Sequence, residues 1–211
     1  MLNLSSLCEM DLYKERGKMK KFSVKAMVSI GMLSSISYVL MLLNFPLPPF
    51  PKFLMVDFSD IPALIAALIF GPAAGILVEF LKNTLDYFMT GSDTGVPVGH
   101  AANFVAGVLF ILPTYYIYQR MKSNRGMTFA LVAGTVSMAI LMSVLNYYVF
   151  LPAYTLFLNM PAMSGPEARA MIVAGILPFN FVKGILMSVI FMLMFTRMKT
   201  WIERQQTLKS A

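Results

Sequence analysis

Residues 127–151, MTFALVAGTVSMAILMSVLNYYVFL, run for twenty-five positions without a charged side chain. About 20 apolar residues in a helix cross the hydrocarbon core of a bilayer, so this run alone points to the membrane. Residues 26–43 form a second uncharged run, and further apolar segments follow as far as Met198. Hydrophobic residues are 58% of the 211 and charged residues 13%, about half the charge of an average soluble domain. That leaves too little polar surface to cover the apolar mass in water, which excludes a soluble enzyme and a disordered chain alike. The expected fold class is an all-α integral membrane protein built as one helical bundle.

Prolines, glycines and charges punctuate the chain. Residues 1–25 read as a polar tail, with 1–18 an extension without a fold, since Met19 before Lys20-Lys21 offers a second start. Residues 26–198 form the membrane domain and 199–211 a charged C-terminal tail. The first apolar run, 26–43, lacks a small-x-small cleavage site and is read as an uncleaved helix. Residues 44–58, NFPLPPFPKFLMVDF, hold four prolines that forbid a continuous helix. So apolar an extended segment suits a lid lying on something apolar. Ser59 or Asp60 can cap a second helix over about 61–70, which stops at Gly71-Pro72 and rises only about 15 Å. Further helices are expected over 72–89, 100–119, 127–151 and 171–198, with loops at 91–99 and 152–169. Internal repeats of the kind that build inverted-repeat transporters are not evident.

Six spans would put both termini on one side. With the N-terminus cytoplasmic, thirteen of the seventeen Lys and Arg fall on inner segments and two, Lys52 and Arg169, on outer loops. That is a clear positive-inside bias, and it places 44–58, 91–99 and 152–169 together on the outer face. Trp201 and Tyr118 then read as anchors at the inner interface.

Charges within such helices persist when they face the bundle interior. Glu79, Asn83 and Asp86 share one face of the third helix, and Lys82 can pair with Glu79 or Asp86. A structural ion pair is the reading for the charged residues, while Asn83 is open to a binding role. Asn146 on the fifth helix, and Asn180 and Lys183 on the sixth, fall in the outer half beneath 44–58. Two amides, one ammonium, nearby aromatics and an apolar lid suit a neutral, flat ligand with carbonyl or amide edges. Phe50 and Leu54 of the lid, Tyr147 beside Asn146, and Asn83 complete the expected substrate-binding set. Gly31 and Ser35 on the first helix make a small-xxx-small face, open equally to partner docking and to internal packing.

Other chemistry is missing. There is no G-x-x-x-x-G-K-[ST] for ATP, no H-E-x-x-H and no G-x-S-x-G. Cys8 is the only cysteine and His100 the only histidine, so neither an intrachain disulfide nor a usual zinc site can form. His100 reads as a polar residue near a membrane boundary. The net charge of +7 sits at helix flanks, so a nucleic-acid partner is not expected.

The stretches NFPLPPFPKFLMVDFSDIPALIAALIFGPAAG (44–75), LVEFLKNTLDYFMTGSDTGVPVGHAANFVAG (77–107), LNYYVFLPAY (145–154) and AGILPFNFVKG (174–184) resemble the riboflavin-specific S components of energy-coupling factor transporters. The resemblance covers about residues 20–205. It implies six transmembrane helices in the S-component fold, cytoplasmic termini, and capture of riboflavin from outside. It also implies that Asn146, Asn180 and Lys183 hydrogen-bond the flavin under the 44–58 loop. A transmembrane coupling subunit would dock near Gly31 and Ser35, and two cytoplasmic ATPase subunits would supply energy. Riboflavin would be cargo, and no cofactor is implied. The rival readings are an S component for another vitamin, a stand-alone secondary transporter or channel in which Glu79, Lys82 and Asp86 carry protons or ions, and a membrane enzyme, for which the sequence shows no catalytic set.

Overall fold

The computed structural model describes residues 23–51, 53–92, 95–157 and 163–210. The readings made for residues 1–22, Cys8 and Met19 among them, and for Lys52 lie outside these. Among the described residues the chain is helical apart from one small hairpin and short connections.

Helix α1 (Val24–Leu42) starts at Ser23, whose hydroxyl accepts from the Ala26 amide at 3.2 Å. It buries Ala26, Ile30, Ser34, Ser37 and Met41, a single seam at helical spacing. Gly31 and Ser35 lie on its exposed side, with the Ser35 hydroxyl donating to the Gly31 carbonyl at 3.0 Å. The proline-rich segment is more ordered than a plain extended loop. Its ends pair as β1 (Phe45–Pro46) and β2 (Met55–Val56), antiparallel, with Phe45 opposite Val56. The ladder is short because proline cannot donate to it.

Helix α2 (Asp60–Phe70) buries ten of its eleven residues. A helix apolar all round belongs in a core, and α2 is the core around which α1, α3, α4 and α6 pack. Gly71, at φ 98°, supplies the left-handed conformation that reverses the chain into α3 (Pro72–Thr90). The reversal brings Gly75 against α2 so closely that an added Cβ would sit 2.8 Å from Ala67 Cβ and 3.0 Å from the Ala63 carbonyl oxygen.

Helix α4 (Val98–Met121) and helix α5 (Asn124–Phe157) follow, then α6, helical from Gly165 through Ser210. The loop expected at 152–169 is therefore much shorter, and both helices extend into it. Each accommodates its proline with one wide turn, a π-turn at Asn146–Phe150 before Pro152 and another at Ile172–Ile176 before Pro178. Proline lacks an N–H and crowds the turn before it; here the backbone widens instead of breaking.

Among the described residues, four helices are long and apolar enough to cross a membrane: α1, α4, α5 and α6. α2 is too short, and α3 carries Glu79, Lys82 and Asp86. Tyr118, expected at the interface, is instead buried edge-on against Phe195 at 5.4 Å between ring centroids, because α6 continues past it. Trp201 is about half exposed.

The tight α2–α3 crossing leads to a stability contrast. Gly75→Ala should lower stability by about 1–3 kcal/mol, since the methyl meets a rigid Cβ and a backbone carbonyl. Gly31→Ala, where an added Cβ meets nothing within 4 Å, should leave it unchanged. Thermal unfolding of both variants in one detergent measures the difference.

Candidate functional site

The residues just before α2 gather charge where the helices converge. Asp57 and Asp60 flank Ser59, and all three are buried. Lys82 of α3 pairs with Asp60, donates to Ser59 Oγ at 2.6 Å, and lies 2.9 Å from Glu79 Oε2. Lys183 of α6 donates to Asp57 Oδ2 at 3.2 Å and lies 3.9 Å from Asp60 Oδ2. Asn103 of α4 donates to the same Asp57 oxygen at 3.2 Å. The Ser59 amide and hydroxyl both donate to Asp57 Oδ1, and Ser37 of α1 donates to the Ser59 carbonyl. One buried network thus joins α1, α2, α3, α4 and α6. Charges out of water are tolerated only when paired and hydrogen-bonded.

The Lys82–Glu79 pair was expected; the Lys82–Asp86 alternative does not form. Asp86 instead meets His100 Nε2 at 3.0 Å and accepts from Thr90 at 2.9 Å. Sequence reasoning missed Asp57 and gave Asp60 only a capping role. In fact no side-chain capping bond forms at Ser59, whose hydroxyl serves the network. A signal was present: two lysines lay within apolar helices, and Asp57 and Asp60 were acids next to an apolar segment.

Beside this network lies a cavity of about 380 Å3, within the range of small-molecule sites. Its walls include Phe53, Leu54, Met55 and Asp57 from the proline-rich segment, Asn146 and Tyr154 from α5, and Phe179, Asn180 and Lys183 from α6. Asp86, His100 and Asn103 line it too. Asn146 and Asn180 each donate one amide hydrogen to the carbonyl four residues back, at 2.8 and 2.9 Å. That leaves each a carbonyl oxygen and a second N–H for a ligand. Asn103 Oδ1 and His100 Nδ1 are buried, with no hydrogen-bond partner among the described residues. The wide turns sit at this level, one opening with Asn146 and the other ending a turn before Asn180.

Of the residues expected from sequence, Asn146, Asn180, Lys183 and Leu54 come together on the cavity wall. Phe50 packs edge-on behind it against Phe179, at 5.6 Å. Tyr147 packs with Leu54 on a separate apolar cluster of Leu151, Ile172 and Ile176. Asn83 is buried and donates to the Glu79 carbonyl at 2.8 Å; it is not among the lining residues. His100, read as a boundary residue, is part of the wall.

Residues 25–195 match the family described as ECF transporter, substrate-specific component. The chain belongs to that family. It is 55% identical over 184 residues to the riboflavin transporter FmnP of Bacillus subtilis (strain 168), covering 87% of this chain and 97% of that protein. It is 40% identical over 189 residues to the riboflavin transporter RibU of Staphylococcus aureus (strain TCH60), covering 90% and 98%. A solved structure of the S component of a bacterial ECF transporter superimposes with a TM-score of 0.72 at 41% identity, covering 84% of this chain and 97% of that one. The all-helical S-component fold follows. This substrate-specific component is a multi-pass membrane protein with a transport role, not an enzyme.

The network makes Lys82 its most sensitive point. Lys82→Met would leave Asp60 and Glu79 buried without their cation and should cost about 3–5 kcal/mol. Thermal unfolding and the yield of folded protein in detergent are the measurements.

Proposed function

We propose that this chain is the riboflavin-binding subunit of an ATP-driven vitamin uptake system. The observation that carries the reading is the cavity beneath the proline-rich hairpin, where Asn146, Asn180 and Lys183 meet among apolar and aromatic walls. Relatives at 55% and 40% identity named as riboflavin transporters support it.

The chemistry of the ligand fits. The flavin ring is flat and apolar at one end, and its pyrimidine edge carries an N–H between two carbonyls. Amide side chains match such an edge with both donor and acceptor, and a lysine ammonium supplies further donors. Burial of the ring against Leu54, Met142 and Phe179 contributes affinity at about 25 cal/mol per Å2 of apolar surface. Paired edges contribute specificity, because a ligand lacking them leaves buried groups unsatisfied. Asn103 and His100 can meet the ribityl hydroxyls at the other end. Lys183 is offset by Asp57, which suits an uncharged cargo.

In this reading α2 and α3 count as spans, giving six, with both termini cytoplasmic and the hairpin on the outer face. Riboflavin enters there, and the hairpin closes over it. The loaded subunit docks on a transmembrane coupling subunit through the outward side of α1 near Gly31 and Ser35. Two cytoplasmic ATPase subunits drive its release inward. Nothing in the helical charges calls for a stand-alone ion carrier, since Glu79 and Lys82 pair with each other and Asp86 pairs with His100.

Titration of riboflavin fluorescence with the purified chain should give saturable quenching, and its absence would sink the reading. Asn180→Ala should weaken binding about ten- to a hundred-fold, the range for loss of a buried polar partner. A second prediction separates binding from transport. Gly31→Leu with Ser35→Leu should leave riboflavin affinity unchanged but abolish uptake by cells that depend on this transporter.

A further inference from the structure

Lys183 is buried in the cavity wall at the end of a flexible four-carbon stem. Such an ammonium contributes to recognition only if something fixes it. Asp57 is the group placed to do so. Its Oδ2 receives Lys183 and Asn103, both at 3.2 Å, from α6 and α4. Its Oδ1 receives the amide and hydroxyl of Ser59 at the entry to α2. The carboxylate is therefore clamped on both oxygens, and it stands one residue beyond β2 of the hairpin.

We infer that Asp57 is a positioning residue for substrate binding, which holds the Lys183 ammonium at the cavity wall and ties the end of the proline-rich hairpin to that same cation. The inference rests on the riboflavin-binding reading and deepens it. Asp57 accepts one of the three N–H donors of Lys183, and Asp60, at 3.9 Å, lies beyond hydrogen-bond distance. Donors thus remain for a carbonyl of the ligand. Ion pairing orients them, and a charge-assisted hydrogen bond holds geometry better than a neutral one. The hairpin and the ligand-facing cation then share one anchor.

A double-mutant cycle on the full-length chain in detergent tests this, with riboflavin fluorescence as the readout. Asp57→Asn keeps the shape and removes the charge, and it should weaken riboflavin binding about ten-fold or more. In a Lys183→Met background the same change should cost less than about three-fold. A general weakening of the fold would give equal losses in both backgrounds. Equal losses, or an Asp57→Asn affinity within three-fold of the parent, would overturn the inference while leaving the flavin reading intact. Failure of the parent chain itself to bind riboflavin would overturn both. If Asp57→Asn does not fold, Ser59→Ala, at a residue outside the cavity wall, removes the hydroxyl donor to Asp57 Oδ1. It should weaken binding only where Lys183 is present, and a loss independent of Lys183 would again refute the role.

Discussion

A lysine buried in an apolar bundle forces the structure around it. Lys82 is fully buried, so Asp60, Glu79 and Ser59 must stand within reach. Asp60 and Ser59 reach it only because Gly71 folds α2 back along α3. Asp57 then lies two residues upstream of Ser59 and meets Lys183 on the last helix. Removing the central cation would leave several buried acceptors unsatisfied at once, which is why helix order and site geometry are not independent in this molecule.

The cavity is made by a different device. Of the long helices with an internal proline, α5 and α6 each carry a wide turn before it, at Asn146–Phe150 and Ile172–Ile176, whereas α4 runs through Pro113 without one. A wide turn rotates the residues beyond it relative to a regular helix, and such turns recur at functional sites. Asn146 begins one of them, and Asn180 follows the other by a turn. The polar wall and the proline-rich hairpin are thus both products of proline, used in one place to bend a helix and in the other to prevent one.

Much of this was legible in the sequence, for physical reasons. Helix order followed from uncharged runs and from the Gly71-Pro72 break, both local signals. The convergence of Asn146, Asn180, Lys183 and Leu54 followed from placing polar residues at one depth beneath an apolar segment. What escaped was long-range or irregular. Spacing along α3 offered Glu79 or Asp86 as partners for Lys82; Glu79 is one, but the other is Asp60, twenty-two positions earlier. The bond from Lys183 to Asp57 spans 126 positions. Pro152 suggested a loop, because a regular helix would end there; a π-turn leaves no comparable mark in composition. Tyr118 suggested an interface from its place near a helix end, but it packs against Phe195 of α6, a contact between helices that local sequence does not record.

The brevity of α2 bears on how the molecule enters its membrane. Eleven residues are too few for the insertion machinery to recognise as a span, and α3 by itself carries charges that each cost about 2.5–3.5 kcal/mol at the centre of a bilayer. Neither segment partitions well alone. Joined by the Gly71 reversal, they form a helical hairpin in which Asp60 offsets Lys82, while Asp86 takes its partner, His100, from α4. The two are therefore suited to enter the bilayer as one unit rather than singly.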